Sequence, residues 1–88
     1  MAWIIELTET AKKQLSKLRR DVQLSIRDYL RQTIQTSTNP KQYGKALRYD
    51  KVGLWRYRVG KYRIICEIED TEVKILVIKI MKRDKVYD

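Results

Sequence analysis

The sequence predicts an α+β domain in which an N-terminal strand and a two-helix hairpin pack on one face of a small antiparallel β-sheet. Three observations carry this. Between residues 11 and 34 apolar residues recur at spacings of three and four, the period of an amphipathic helix. From residue 54 to 80 they alternate with a period of two or run on unbroken, as strands do. The stretch TSTNP at 36–40 separates the two regimes with turn-forming residues.

Taken in order, Trp3 to Leu7 (WIIEL) reads as a short apolar strand. Thr8 is placed to cap a helix, with Glu9 favourable at the positive end of the helix dipole. Ala11, Leu15 and Leu18 give that helix its apolar face, and Arg19-Arg20 fall at its C-terminal end. Asp21 is expected to cap a second helix, whose stripe is Val22, Ile26, Tyr29, Leu30 and Thr33-Ile34. Lys12, Lys13, Lys17, Arg27 and Arg31 read as the solvated side of this hairpin.

After the TSTNP loop, Ala46 to Tyr49 is expected to form a short strand and Asp50 to Gly53 a turn. Trp55 to Val59 and Tyr62 to Glu69 form a hairpin through Gly60-Lys61, a pair suited to a type II′ turn because its first position needs a positive φ. A two-residue loop sets Val59 opposite Tyr62 and Arg58 opposite Arg63. Glu69 to Glu72 is a polar turn. Val73 to Ile80 (VKILVIKI) is the most apolar strand, expected at the centre of the sheet, and residues 81–88 are expected to be a short polar tail.

The 88 residues allow one domain, spanning 1–88, with a thin core. The lone Cys66 lies in an apolar run and reads as a small buried apolar residue. A single cysteine fits a reducing compartment, and the first residues lack the pattern of a signal peptide, so a cytoplasmic location without membrane contact is expected. The net charge is +9, and residues 41–63 alone contribute +7. A concentrated basic segment implies a polyanion or an acidic protein as partner.

The absence of histidine removes imidazole chemistry, and one cysteine excludes a zinc knuckle. Glu67, Glu69, Asp70 and Glu72 read as a solvated turn rather than a magnesium site, and no cofactor is expected. What remains is LWRYRVGKYR at 54–63, where Arg56 and Arg58 alternate with Trp55, Tyr57 and Val59. Like charges opposed across a hairpin are destabilising. Arg56, Arg58 and Arg63 on one face therefore suggest an anion site, with a phosphate the best match to guanidinium geometry. The bland alternative is an edge hairpin with a solvated basic face. A basic, aromatic surface of this kind suits RNA, through phosphate contacts and base stacking. Lys45, Arg48, Arg56, Arg58 and Lys61 are the candidate RNA-binding residues.

The stretches LWRYRVGKYRIICEIED and IMKRDKVYD, with TETAKKQLSKL and KALRYD before them, resemble the RelE/ParE toxin superfamily of bacterial toxin–antitoxin systems. The resemblance implies a RelE-like fold and, for RelE-like members, a ribosome-dependent endoribonuclease that cuts mRNA in the A site without metal. It implies that Arg56 and Arg58 occupy the two basic strand positions and that Arg63 stabilises the phosphate. Arg83 would stabilise charge or protonate the leaving group, Tyr87 would stack on the nucleotide, and Lys82 stands where many relatives carry histidine. The two strand positions are lysines in RelE, and an arginine does not act as a base, which leaves Lys82 or Tyr87 for that role. The alternatives within the superfamily are a ParE-type inhibitor of DNA gyrase and a degenerate member that only holds an antitoxin. All three imply an acidic cognate antitoxin, with DNA reached only indirectly through it; the nuclease reading adds mRNA and the ribosome as partners.

Overall fold

The computed structural model describes residues 2–47 and 53–82. Strand β1 (Ile4–Leu7) leads into helices α1 (Glu9–Ser16) and α2 (Arg20–Asp28), followed by β2 (Lys45–Ala46), β3 (Leu54–Val59), β4 (Tyr62–Glu69) and β5 (Lys74–Lys82). The sheet order is β1-β5-β4-β3-β2. All pairings are antiparallel except β1 with β5, which is parallel. The α+β architecture with helices on one sheet face is the one the periodicities predict.

Thr8 begins α1 as expected: its hydroxyl accepts from the Ala11 N–H at 3.1 Å, satisfying one of the free donors of the first turn. The same hydroxyl donates to the Ile78 carbonyl at 2.7 Å, tying the helix start to β5. The expected cap at Asp21 is not formed. The link between the helices is so short that α2 already starts at Arg20, and Asp21 lies in its first turn, 3.3 Å from the Arg19 guanidinium. Beyond Asp28 the helix widens into a π-helical stretch, Tyr29–Ile34, that keeps Leu30 and Ile34 buried in line with Ile26.

The helices cover one face of the sheet, where Ala11, Leu15, Ile26, Leu30 and Ile34 meet Tyr57, Ile64, Cys66, Ile75, Val77 and Ile80. Tyr57 is fully buried. Its hydroxyl donates to the Pro40 carbonyl at 2.9 Å, and its ring meets Tyr29 edge-on at 6.0 Å. Burial, then the neighbouring Cys66 and Tyr29, push the Tyr57 phenol well above its usual range, and burial does the same to the Cys66 thiol. Cys66 is thus the core residue the sequence suggests.

The predicted hairpin register holds: Val59 pairs with Tyr62 and Arg58 with Arg63, and Gly60 has φ +57° as a type II′ turn requires. Three expectations change. The central strand is β4, with β5 beside it, because β1 adds to the outer edge of β5 in parallel. Strand β5 continues to Lys82, so Met81 and Lys82 belong to the sheet and not to a tail. The strand expected over 46–49 is described as Lys45–Ala46; Leu47 follows it, its N–H donating to the Leu54 carbonyl at 3.1 Å, and 48–49, like most of the turn at 50–53, lie outside the described residues.

The loop before β5 places Val73 at φ +52°, an unusual conformation for a β-branched residue. Its carbonyl accepts from the Ile4 N–H at 2.9 Å and so opens the parallel ladder.

Candidate nucleic-acid interface

Strand alternation and pairing assemble the cationic face. Arg56 and Arg58 point away from the helices because Trp55, Tyr57 and Val59, between and around them, pack toward the core. Directly opposed residues share a face, so Arg58 and Arg63 stand together, as do Lys45 and Arg56. Arg56 is in turn opposite Ile65, and Ile65 is opposite Lys79. Four strands thereby bring Lys45, Arg56, Arg58, Arg63 and Lys79 to one side of the sheet.

Two glycines allow this. Gly60 makes the turn, and Gly44, at φ +75°, lets β2 approach β3. A Cβ at position 44 would lie 2.1 Å from the Arg56 carbonyl oxygen and 2.9 Å from the Tyr57 ring. The Trp55 indole N–H donates to the Tyr43 carbonyl at 2.7 Å and secures the same approach from the core side.

The face is less open than a solvated basic surface. Arg58 is exposed and Arg56 half-buried, but Arg63 is only 3% exposed and Ile65 only 2%. Both lie on the central strand, with neighbours on each side: Arg58 and Met81 flank Arg63, while Arg56 and Lys79 flank Ile65. Long side chains on adjacent strands cover such positions with their aliphatic stems. A guanidinium in this setting is desolvated, which strengthens its attraction for an anion.

Lys61 is exposed in the turn at the end of the hairpin. Lys82 is exposed but pairs with Tyr62, whose row carries Val59. The pairing therefore sets Lys82 on the helix-bearing side, away from Arg63, and so apart from the other catalytic candidate among the described residues. Arg48, Arg83 and Tyr87 lie outside the described residues. Lys79 was not singled out from the sequence. Its signal is the run VIKI, in which the lysine interrupts an apolar strand, but which side it occupies depends on pairing.

The other end of the same sheet face is acidic and internally neutralised. Lys74 lies 3.5 Å from Glu6 and 3.8 Å from Glu69. Those carboxylates, Glu6 first, raise the lysine pKa. Asp70 lies 3.2 Å from Lys41. Among the described residues no group of three or more potential metal ligands comes together, and no helix is long and apolar enough to cross a membrane.

Comparison with known proteins shows the family and the fold. The family model described as the ParE toxin of type II toxin–antitoxin systems, parDE, matches residues 5–87. Toxin RelG of Mycobacterium tuberculosis is 25% identical over 87 residues, covering 99% of this chain and 98% of RelG. Toxin RelE of the same organism is 29% identical over 83 residues, covering 94% of this chain and 84% of RelE. Among solved structures, the toxin–antitoxin complex RelBE2 of Mycobacterium tuberculosis contains a chain with a TM-score of 0.83 at 23% identity, covering 94% of this chain and all of that one. At that identity the likeness speaks for the fold.

Proposed function

From the premise that this chain belongs to the ParE toxin family of type II toxin–antitoxin systems, within the RelE/ParE superfamily, we propose that it is a ribosome-dependent endoribonuclease that cleaves mRNA in the A site and blocks translation. The observation that carries the reading is the pairing of Arg58 with the nearly buried Arg63, one row from Arg56 and Lys45. Such a cluster is suited to a polyanion carrying a phosphate at its centre.

In the proposed reaction the ribose 2′-oxygen attacks the adjacent phosphorus and the bond to the 5′-oxygen breaks. One proton leaves the 2′-oxygen and one reaches the 5′-oxygen, leaving a cyclic phosphate and a free 5′-hydroxyl. Arg63 neutralises the charge that grows on the phosphate oxygens, supported by Arg83. Arg56, Arg58 and Lys45 hold the backbone so that attack is in line. Lys61 and Arg48 extend that grip, and Tyr87 stacks on the nucleotide. Since arginine keeps its proton, the proton steps fall to another group. Tyr87 is our assignment, because the register directs Lys82 to the other side of the sheet.

The partner proposed for the free toxin is an acidic antitoxin that orders on binding. The net charge of +9 supports it, as does the structural relative's own occurrence in a toxin–antitoxin complex.

A second reading, inhibition of DNA gyrase by binding alone, is favoured by the arginines at positions 56 and 58 and by the absence of histidine. Cleavage mapping on programmed bacterial ribosomes separates the two. The nuclease reading expects cuts within the A-site codon that Arg83→Ala abolishes while antitoxin binding persists. An intact mRNA with a folded wild-type sample, together with inhibited supercoiling, overturns it.

A further inference from the structure

The buried positions of β5 are Ile75, Val77 and Ile80, a step of two followed by a step of three. The register shifts at the same place, with Cys66 opposite Val77 and Ile65 opposite Lys79, so Ile78 is an extra residue. This is a β-bulge, a device that re-aims the side chains beyond it. In an unbroken strand Lys79 would share the face of Val77 and point at the helix layer, where a lysine ammonium is costly to bury. The bulge turns it to the arginine side instead.

Two side chains from the start of the chain flank the bulge. Thr8 donates to the Ile78 carbonyl at 2.7 Å, and Gln14 Oε1 accepts from the Ile80 N–H at 2.7 Å. Strand β1 ends its pairing at Leu7 opposite Val77, so these bonds replace the missing ladder on that edge.

The consequence is a transverse row of Lys45, Arg56, Ile65 and Lys79 across four strands. Three inter-strand spacings give it a length of about 14 Å. Lys79, at the end of the row, is exposed and in no ion pair with the described residues. We infer that Lys79 is a further phosphate-contacting residue of this face, so that RNA crosses the strands from Lys45 through Arg56 to Lys79. The inference rests on the RNA reading of the preceding subsection and adds the direction of the track and its far anchor.

The test is direct binding of a fluorescently labelled single-stranded RNA of mixed sequence over a series of KCl concentrations, with no ribosome present. Each phosphate contact contributes about 0.7 to the slope of log affinity against log salt for a single strand. Lys79→Ala is expected to lower the slope by about that amount and to weaken binding equally for unrelated sequences, while Lys79→Arg keeps the wild-type slope. Lys12→Ala, on the opposite helix layer, serves as the charge-matched control and leaves the slope unchanged. A Lys79→Ala slope equal to that of the wild type overturns the inference while leaving the RNA reading intact. Loss of slope in Lys12→Ala equal to that in Lys79→Ala also overturns it, because net charge alone then explains the effect. A folded wild-type protein without salt-dependent RNA binding overturns the inference, while the ribosome-dependent reading is decided separately by cleavage mapping on programmed ribosomes.

Discussion

Arg58 and Arg63 are direct cross-strand partners, one exposed to solvent and the other 3% exposed. On the proposed reading their opposition sets stability against function. Arg58→Thr is expected to raise the unfolding free energy by about 0.5 kcal/mol, within the range of cross-strand pair effects, and to weaken toxicity and RNA binding. Urea titration alongside a growth-arrest assay checks both. Unchanged toxicity in the stabilised variant would show that the pair is not maintained for binding.

In the proposed reaction Arg63 is the position where charge and shape are both required. Arg63→Lys keeps a cation but loses the planar fork. We expect it to fold and to lose about two orders of magnitude in ribosomal cleavage, the scale of one oxyanion-stabilising donor. Single-turnover cleavage at saturating ribosome concentration measures this without the contribution of binding.

Gly44 controls the position of Lys45 and Arg56 from the backbone. Its positive φ and the 2.1 Å approach of a Cβ to the Arg56 carbonyl make Gly44→Ala costly. The expected loss is at least about 2 kcal/mol. Amide exchange in the Trp55–Tyr57 segment should rise as β2 separates. Gly53 has the same φ with open space around it, so Gly53→Ala should cost less than Gly44→Ala.

Gln14 lies on α1, yet its side chain bonds to strand β5. Gln14→Leu leaves the Ile80 N–H without its acceptor, at a cost of about 1–3 kcal/mol. Lys12→Ala on the same helix should stay within about 0.5 kcal/mol of the wild type. Equal denaturation midpoints for the two variants would show that the bond to β5 contributes nothing.

Stability should fall on the alkaline side. Burial keeps the Cys66 thiol and the Tyr57 phenol protonated above their ordinary ranges in the native state. The unfolded chain sheds the thiol proton above about pH 8.5 and the phenol proton above about pH 10. Above those values the unfolded state binds fewer protons than the native state. The stabilisation, fully present at lower pH, is therefore lost as pH rises. The urea midpoint is expected to be flat between about pH 6 and 8 and to decline beyond about pH 9, each group contributing a slope of up to about 1.4 kcal/mol per pH unit. Cys66→Val should delay the onset by about one pH unit. Lys74, whose pKa is raised by Glu6 and then Glu69, acts in the same direction at higher pH.

Several features were legible in the sequence because the groups that decide them are close along the chain. The Thr8 cap reaches Ala11, three residues away. The Gly60-Lys61 turn closes two adjacent strands, and its loop length sets the Arg58–Arg63 register. The period-two pattern around Tyr57 sends Arg56 and Arg58 to one side, and the spacing of Ile26, Leu30 and Ile34 gives the helical core face. The cap misassigned to Asp21 is also local, but the short link between the helices outweighs the preference of the residue.

The tertiary structure decided what depends on partners distant along the chain. Parallel pairing of β1 with β5 joins Ile5 to Ile75, and this moves β4 to the middle of the sheet. Arg63 and Ile65 are buried because two strands flank them, a condition their own sequence does not encode. The bulge at Ile78 is held from Thr8 and Gln14, and by changing the phase of β5 it sets Lys79 on the arginine face and Lys82 on the other. A one-residue shift inverts every side chain beyond it. Local periodicity therefore determined that a cationic hairpin exists, while long-range hydrogen bonding determined which cations share its face.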